Sequence, residues 1–116
     1  MSPYIIPGLK FKEVRTSNTD NIIQSVCDCF GLNFNDIKTR ERKVKLVTAR
    51  HLCYYFLRKY TNKNLKEIGS NFNQSHANVI KSLEKIDGFI KIKDAVTLNE
   101  IYLIENLFDK MNKKYS

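Results

Sequence analysis

The sequence predicts a mostly α-helical domain, a bundle of five to six helices that contains a helix-turn-helix. Long runs without glycine or proline carry apolar residues at spacings of three and four, which is the repeat of an amphipathic helix. Two capping-box patterns mark further helix starts, and residues 65–86 have the pattern of two helices joined by a short break. With 116 residues and 42% hydrophobic content, the chain is long enough to close one modest core.

Two helices are predicted before the break. Ser17 to Asp20 supplies capping residue types ahead of a first helix, over about residues 20–30. From Lys43 to Tyr60 there is neither glycine nor proline, which indicates a central helix. Arg50 departs from the apolar stripe of this helix, so we expect its guanidinium group to reach solvent or a ligand. The stripe consists of Leu46, Ala49, Cys53, Phe56, Leu57 and Tyr60.

The pair of helices over residues 65–86 is bounded by clear signals. Asn64 and Glu67 form a capping box, so a helix is predicted to begin at Leu65. Residues 71–75 are rich in turn-forming types, and Ser75 is a suitable cap for the next helix. That helix has an apolar stripe and is predicted to end at Asp87-Gly88, because glycine favours a helix C-terminus.

The two ends of the chain are predicted to be extensions of the domain. Residues 1–18 carry both prolines and form an N-terminal arm, residues 19–88 form the helix-turn-helix domain, and residues 89–116 form a C-terminal extension. Residues 9–12 and 89–93 alternate at period two, so a small two-stranded ribbon between them is one option. A capping box at 97–100 opens a last helix, residues 97–114, which packs on the same domain or mediates a homodimer.

Positive charge is concentrated in one part of the chain. The formal net charge is +8, yet residues 38–66 contain ten basic residues and one acidic residue, a balance of +9. A concentrated field of one sign attracts polyanions such as nucleic acid or an acidic membrane face. The alternative is a solvated surface without a partner, which is less common for so one-sided a cluster.

Several classes of protein are disfavoured by what the sequence lacks. No run of about eighteen apolar residues is present, and the N-terminus does not resemble a signal peptide, so we expect a soluble, intracellular protein that does not bind membrane. Cys27, Cys29 and Cys53 lack metal-site spacing, so we expect core packing of Cys27 and Cys53 and neither a metal nor a cofactor. No nucleophile, base and orienting group occur together, which argues against an enzyme.

The start of the second helix of the pair is the candidate binding site. In a helix-turn-helix, the first helix braces across the DNA backbone and the second enters the major groove with its N-terminal residues. Gln74, Ser75, His76 and Asn78 offer polar groups there, and Ala77 could meet a thymine methyl. Each residue alone is better explained as a cap or a solvated surface residue, but the neighbouring basic stretch favours DNA.

The run TARHLCYYFLRKYTNKNLKEIGSNFNQSHANVIKSLEKI, residues 48–86, carries a resemblance that extends back to about Ile22. Its specific features include Ala49-Arg50, Thr61-Asn62, Glu67-Ile68-Gly69 and His76 followed by Val79-Ile80. The sequence resembles the C-terminal DNA-binding domain of the bacterial chromosomal replication initiator DnaA, and the likeness covers roughly 65 of the 116 residues. This implies a trp-repressor-like helix-turn-helix that binds double-stranded DNA in the bacterial cytoplasm or nucleoid.

The resemblance also implies roles for individual residues. Arg50 matches the position at which the family inserts an arginine into the minor groove. The segment from Ser75 to Asn78, with Gln74 before it, matches the major-groove readers. The predicted phosphate contacts, which combine this resemblance with the basic stretch, are Arg40, Arg42, Lys43, Lys63, Lys66 and Lys81.

Two departures from the family bear on function. The family usually has Gly-Gly-Arg-Asp-His after the phenylalanine, whereas Phe72 is followed here by Asn73-Gln-Ser-His76, which is one residue shorter. The nucleotide-binding pattern G-x-x-x-x-G-K-[ST] is absent, so we expect no nucleotide to bind. The sequence therefore favours a stand-alone DNA-binding regulator of replication or transcription, of phage, mobile-element or host origin. The alternative is an adaptor or an inhibitor of an initiator that kept the fold and lost base reading.

Overall fold

Six helices make up the part of the chain that the computed structural model describes, residues 19–39 and 41–115, with side chains described up to residue 110. The helices are α1 (Thr19–Phe30), α2 (Phe34–Ile37), α3 (Val44–Tyr60), α4 (Leu65–Ser70), α5 (His76–Lys91) and α6 (Ala95–Tyr115). The described residues contain no β-strand. The predicted mostly α-helical class, a bundle of five to six helices with a helix-turn-helix, is confirmed.

Helix α3 is the centre of the bundle, as the sequence predicted. Six consecutive residues, 52–57, are buried, which requires neighbours on every side of the helix. Helices α1, α2, α4 and α5 all pack against it. Because α3 is held from all sides, its two ends are fixed in position relative to the other helices.

The helix-turn-helix consists of α4, the turn at residues 71–75, and α5. The predicted capping box is present, since Glu67 N donates to Asn64 Oδ1 (2.9 Å) and Asn64 N donates to Glu67 Oε1 (3.0 Å). Gly69 makes the turn tight: Gln74 N donates to Gly69 O over 3.0 Å, and a Cβ on Gly69 would lie 2.5 Å from Gln74 O. Only glycine allows the two helices to approach this closely.

Helix α5 is longer than the sequence predicted. It continues through Gly88 to Lys91, and the turn that ends it contains Lys93 at a φ of 56°. The prediction of a helix end at Gly88 is therefore wrong, and so is the prediction of a strand over residues 89–93. Ile90 packs against the core, which favours continued helix over an extended segment. The other half of the predicted ribbon, residues 9–12, lies outside the described residues.

Helix α6 begins two residues before its predicted start. Asp94 caps it, since both Thr97 N (3.0 Å) and Thr97 Oγ1 (2.9 Å) donate to Asp94 Oδ2. The apolar stripe of α6 is buried against its own domain, mainly on α1, as the sequence predicted. Among the described residues no helix is both long and apolar enough to cross a membrane.

Two of the three free cysteines belong to the core. Cys27 and Cys53 are buried, and Cys29 is half-buried. Burial raises the pKa of the Cys27 thiol to about 11, with Asp28 and Asp36 adding to the effect. The Cys53 thiol has a pKa well above its ordinary value for the same reason. Both thiols are therefore protonated near neutral pH and act as small apolar groups, as predicted.

Candidate nucleic-acid interface

An open cleft of about 1030 Å³ lies between the N-terminal half of α3 and the start of α5. One wall is lined by Arg42, Val47, Arg50, His51 and Tyr54. The turn and α5 form the other wall, with Gln74, Ser75, Asn78, Lys81 and Lys85. The cleft therefore brings together two regions that are about thirty residues apart in the chain, the basic start of α3 and the predicted reading segment.

The predicted reading segment, residues 74–78, is accessible at the start of α5. Ser75 to Asn78 are exposed and Gln74 is half-buried. Ser75 caps α5 as predicted, because its Oγ accepts from Asn78 N over 3.3 Å. Asn78 Nδ2 donates to Gln74 Oε1 over 2.9 Å, which restrains both side chains. That bond leaves the amide donor of Gln74 and the amide oxygen of Asn78 for a further partner.

Arg50 does not reach solvent, contrary to the expectation from its position off the apolar stripe. Arg50 is only 6% exposed. Its Nη1 donates to the carbonyl oxygens of Thr39 (2.6 Å) and Ile37 (3.3 Å). Nη2 donates to Glu41 O. The guanidinium group is therefore occupied by backbone carbonyls of the segment that leads from α2 to α3. Arg50 nevertheless lines the cleft, so its predicted role in base reading stays a prediction.

The start of α3 is a cationic surface. Arg42, Lys43 and Lys45 are exposed there, and the first turn of α3 has no acidic residue and no side-chain cap at Lys43. The unpaired N–H groups of a helix N-terminus carry partial positive charge, which adds to these cations. Glu41 lies 3.8 Å from Lys43 in an exposed pair and offsets little of it.

The remaining predicted phosphate contacts lie at several positions near the helix-turn-helix. Lys66 is exposed in α4, Lys81 is exposed in α5, and Lys63 is half-buried before α4. Lys81 lines the cleft together with Arg42. Arg40 lies outside the described residues.

Lys59 shows that the basic stretch is not all on one surface. Its ammonium group is fully buried and lies 2.6 Å from Glu105 Oε2 in α6. Lys59 is sixteen residues from Lys43 along α3, which places it about 24 Å away. The charge of +9 over residues 38–66 thus overestimates the charge available to a polyanion.

His51 is a cleft residue that the sequence reasoning did not select. Burial lowers its pKa to about 4, with Lys85 and then Arg50 adding to the effect. The imidazole is therefore neutral near neutral pH, although it lies among cations. Val47, His51 and Tyr54 are spaced by four and three residues, so helical periodicity would have placed all three on the same face.

The fold and the cleft define a helix-turn-helix domain with a cationic surface beside the exposed start of its second helix. The family model described as "Bacterial dnaA protein helix-turn-helix" matches residues 19–86, which includes α1 to α4 and most of α5. The chain belongs to this family.

Similar proteins are named "Chromosomal replication initiator protein DnaA". That of Oleidesulfovibrio alaskensis is 35% identical over 82 residues, 71% of this chain and 18% of the relative. That of Bacteroides thetaiotaomicron is 29% identical over 111 residues, 95% of this chain and 23% of the relative. That of Gloeobacter violaceus is 35% identical over 92 residues, 78% of this chain and 21% of the relative. The chain thus spans about a fifth of their length, and the match of 111 residues necessarily includes most of α6.

Proposed function

We propose that this chain binds double-stranded DNA, with the start of α5 in the major groove. One observation carries the proposal: Ser75 and Asn78, the two ends of the exposed segment, line the same cleft as Arg42 beside the cationic start of α3. A major groove is wide enough to admit a helix, and the flanking phosphates would then meet the cations. Membership in the DnaA helix-turn-helix family supports this function.

The proposal divides the contacts between two groups of residues. Arg42, Lys43, Lys66 and Lys81 supply affinity for phosphate, with Lys63 at the edge, and this affinity is independent of sequence. Gln74, Ser75, His76, Ala77 and Asn78 face the base edges and supply discrimination. Arg50, which lines the same cleft, is proposed with them as a base-reading residue.

The biological role that we propose is control of replication or transcription in a bacterial cytoplasm, through a bound DNA site. The relatives' name, replication initiator, supports replication over other roles. A homodimer through residues 97–114 is not part of the proposal, because Ile101, Ile104 and Phe108, which would form its seam, are buried against the chain's own helices.

The test is a titration of labelled duplex with the protein at several salt concentrations, first with random sequence and then with duplexes selected from a random pool. Four phosphate contacts predict a slope of log affinity against log salt of about −3.6. His76→Ala should weaken binding to selected duplex by about 1–3 kcal/mol and leave random duplex unchanged. Lys43→Ala should weaken both alike and reduce the magnitude of the slope by about one.

Two results would contradict the proposal. Absence of binding to any duplex at low salt would remove DNA as the partner, and a slope near zero would exclude release of counterions. Either result would favour a protein partner for the same surface.

A further inference from the structure

We propose that the N-terminal arm, residues 1–18, docks on an exposed side of α6 that takes no part in the cleft. This side, which we call the outer face of α6, consists of Val96, Glu100, Leu103 and Leu107. None of the four lines the cleft. The inference goes beyond the proposed function, because the contact between the arm and α6 needs no DNA.

The outer face of α6 lies beside the buried side of the same helix. Its four members are spaced by four, three and four residues, so they share one side of the helix. Val96 is 67% exposed and Leu103 is 44% exposed, while Glu100 and Leu107 are half-buried. Ile92, in the turn before α6, is a further exposed apolar residue. The described helices therefore leave an apolar strip of α6 open to solvent.

Glu100 is a half-buried carboxylate within this strip. Across residues 19–39 and 41–110 the structure gives it neither a hydrogen bond nor an ion pair. Burial raises the pKa of Glu100, and Asp94 adds to the effect. Glu105 on the same helix, by contrast, is paired with Lys59. Because a nearby cation stabilises a carboxylate in apolar surroundings, the outer face of α6 suits a ligand with both apolar and basic side chains.

The arm has this composition. Residues 9–12, Leu-Lys-Phe-Lys, alternate between apolar and basic types, and their predicted partner, residues 89–93, is helix and turn instead of a strand. The arm carries three basic residues and one acidic residue, a balance of +2, whereas residues 94–109 contain four acidic residues and no basic one. The arm is therefore attracted to α6 and repelled by the cations of the cleft while no DNA is bound.

The connection of the arm to the fold permits the contact. The arm leads directly into α1, and α1 packs against α6. Leu9 precedes Thr19 by ten residues, and ten extended residues span at most about 35 Å. The longest extent of the molecule is also 35 Å. Leu9 and Phe11 can thus reach the outer face of α6.

Docking on α6 keeps the cations of the arm away from a duplex. Basic N-terminal arms of other helix-turn-helix proteins enter the minor groove, which is the competing destination for residues 1–18. An arm on α6 adds no phosphate contact, so the salt slope of the complete chain stays near the value of about −3.6 that four contacts predict.

NMR spectra of the complete chain without DNA test the contact directly and depend on no variant. Nuclear Overhauser contacts are expected from the Leu9 methyl groups and the Phe11 ring to the methyl groups of Leu103 and Leu107. If the arm shows no contact with α6, the inference is wrong. Contacts found only between differently labelled molecules would make a second copy the occupant, which would also overturn it.

Trypsin cleavage after Lys10 and Lys12 measures how much of the arm is undocked. Leu103→Ser should raise the cleavage rate about tenfold, because cleavage follows the population of the open form. Tyr102→Ser is the matched control, since Tyr102 is 63% exposed on the same helix but lies outside the outer face. Equal rates in the two variants would contradict docking at Leu103.

Charge reversal shows whether Glu100 attracts the arm. Glu100→Lys should accelerate cleavage after Lys10 and Lys12, because it places a like charge against the arm. Glu84→Lys makes the same change in net charge at an exposed position of α5 and should leave the rate unchanged. The same acceleration in both variants would mean that only the net charge matters, against the inference.

Addition of a duplex separates this inference from the proposed function. The contacts of Leu9 and Phe11 with α6 should persist when selected duplex is bound. Their replacement by contacts with DNA protons would place the arm in a groove and overturn the inference. If the chain binds no duplex, the proposed function fails, while the contacts in the free chain still decide where the arm docks.

Discussion

Gly69 is the residue on which the spacing of the helix-turn-helix most directly depends. Replacement by alanine would place a Cβ 2.5 Å from Gln74 O and 3.2 Å from a methyl carbon of Val79. The turn cannot yield without moving the start of α5, so Gly69→Ala should lower the free energy of unfolding by about 1–3 kcal/mol. Urea unfolding followed by circular dichroism measures this change.

Gly88 supplies the matched control for that substitution. It lies within α5, and a Cβ there would meet nothing within 4 Å. Gly88→Ala should therefore stabilise the protein by about 0.5–1 kcal/mol, since alanine is favoured in a helix interior. Equal effects of the two substitutions would contradict the close approach at Gly69.

His51 makes the stability of the fold depend on pH. Its pKa is lowered to about 4 in the folded state, so the unfolded chain, with an ordinary pKa near 6.5, binds a proton first as pH falls. The folded state should lose stability between about pH 6.5 and pH 4. Urea midpoints across this range should fall less steeply for His51→Gln than for the unmodified chain. His76→Gln is the control at an exposed position, and an unchanged slope in His51→Gln would contradict the prediction.

The environment of Arg50 illustrates what a sequence pattern omits at the residue scale. The position of a polar residue off the apolar stripe is compatible with two environments. The side chain can face solvent, or it can donate hydrogen bonds to buried backbone carbonyls. The carbonyls of Ile37, Thr39 and Glu41 belong to an irregular loop, whose path has no periodic signal. By contrast, the role of Ser75 as a cap was predictable, because it depends only on residues close in sequence.

At the scale of elements, a partly buried polar cluster adds to the apolar packing that holds α6. Glu105 Oε2 accepts from Lys59 Nζ (2.6 Å) and from Tyr60 OH (2.9 Å), and the Lys59 side chain is fully buried. Removal of the carboxylate leaves a buried cation without its partner. Glu105→Ala should therefore cost about 3 kcal/mol in the free energy of unfolding, measured by urea titration.

An exposed ion pair provides the comparison. Asp87 and Lys91 lie 3.1 Å apart on the surface of α5, with the lysine side chain 75% exposed. Asp87→Ala should cost less than about 0.5 kcal/mol, because water and salt screen such pairs. A similar cost for Asp87→Ala and Glu105→Ala would show that the Lys59 cluster does not hold α6 in place.

The observed ends of α5 and α6 show which helix boundaries a local sequence pattern can predict. Both helix starts in the helix-turn-helix were predicted, because their caps are local. The end of α5 was not, since Gly88 resembled a C-cap while the packing of Ile90 extends the helix past it. The start of α6 was misplaced because the capping box at 97–100 competed with Asp94, whose carboxylate makes the observed bonds.

At the scale of the whole molecule, charge is separated between two regions. The cleft is lined by the cations Arg42, Lys81 and Lys85 and by one acid, Glu84, whereas residues 94–109 contain four acidic residues and no basic one. A molecule with this distribution approaches a polyanion with its cationic side first. The sequence predicted where the basic residues lie in the chain, but not which of them are buried. Lys59 is buried through its contact with Glu105 of α6, more than forty residues away.

The bare first turn of α3 links folding to ligand binding. With no acidic residue and no side-chain acceptor at Lys43, this helix end has amide donors and cations that repel one another. A DNA phosphate bound at the N-terminus of α3 would accept hydrogen bonds from these amides. Bound DNA should therefore raise the free energy of unfolding of the protein. Thermal unfolding with a short duplex at about 100 times its Kd should reveal roughly 2.7 kcal/mol of added stability, and Lys43→Ala should reduce it at the same duplex concentration. In the cell, the empty form would then be the more easily unfolded one, and molecules without a target would be removed first by proteolysis.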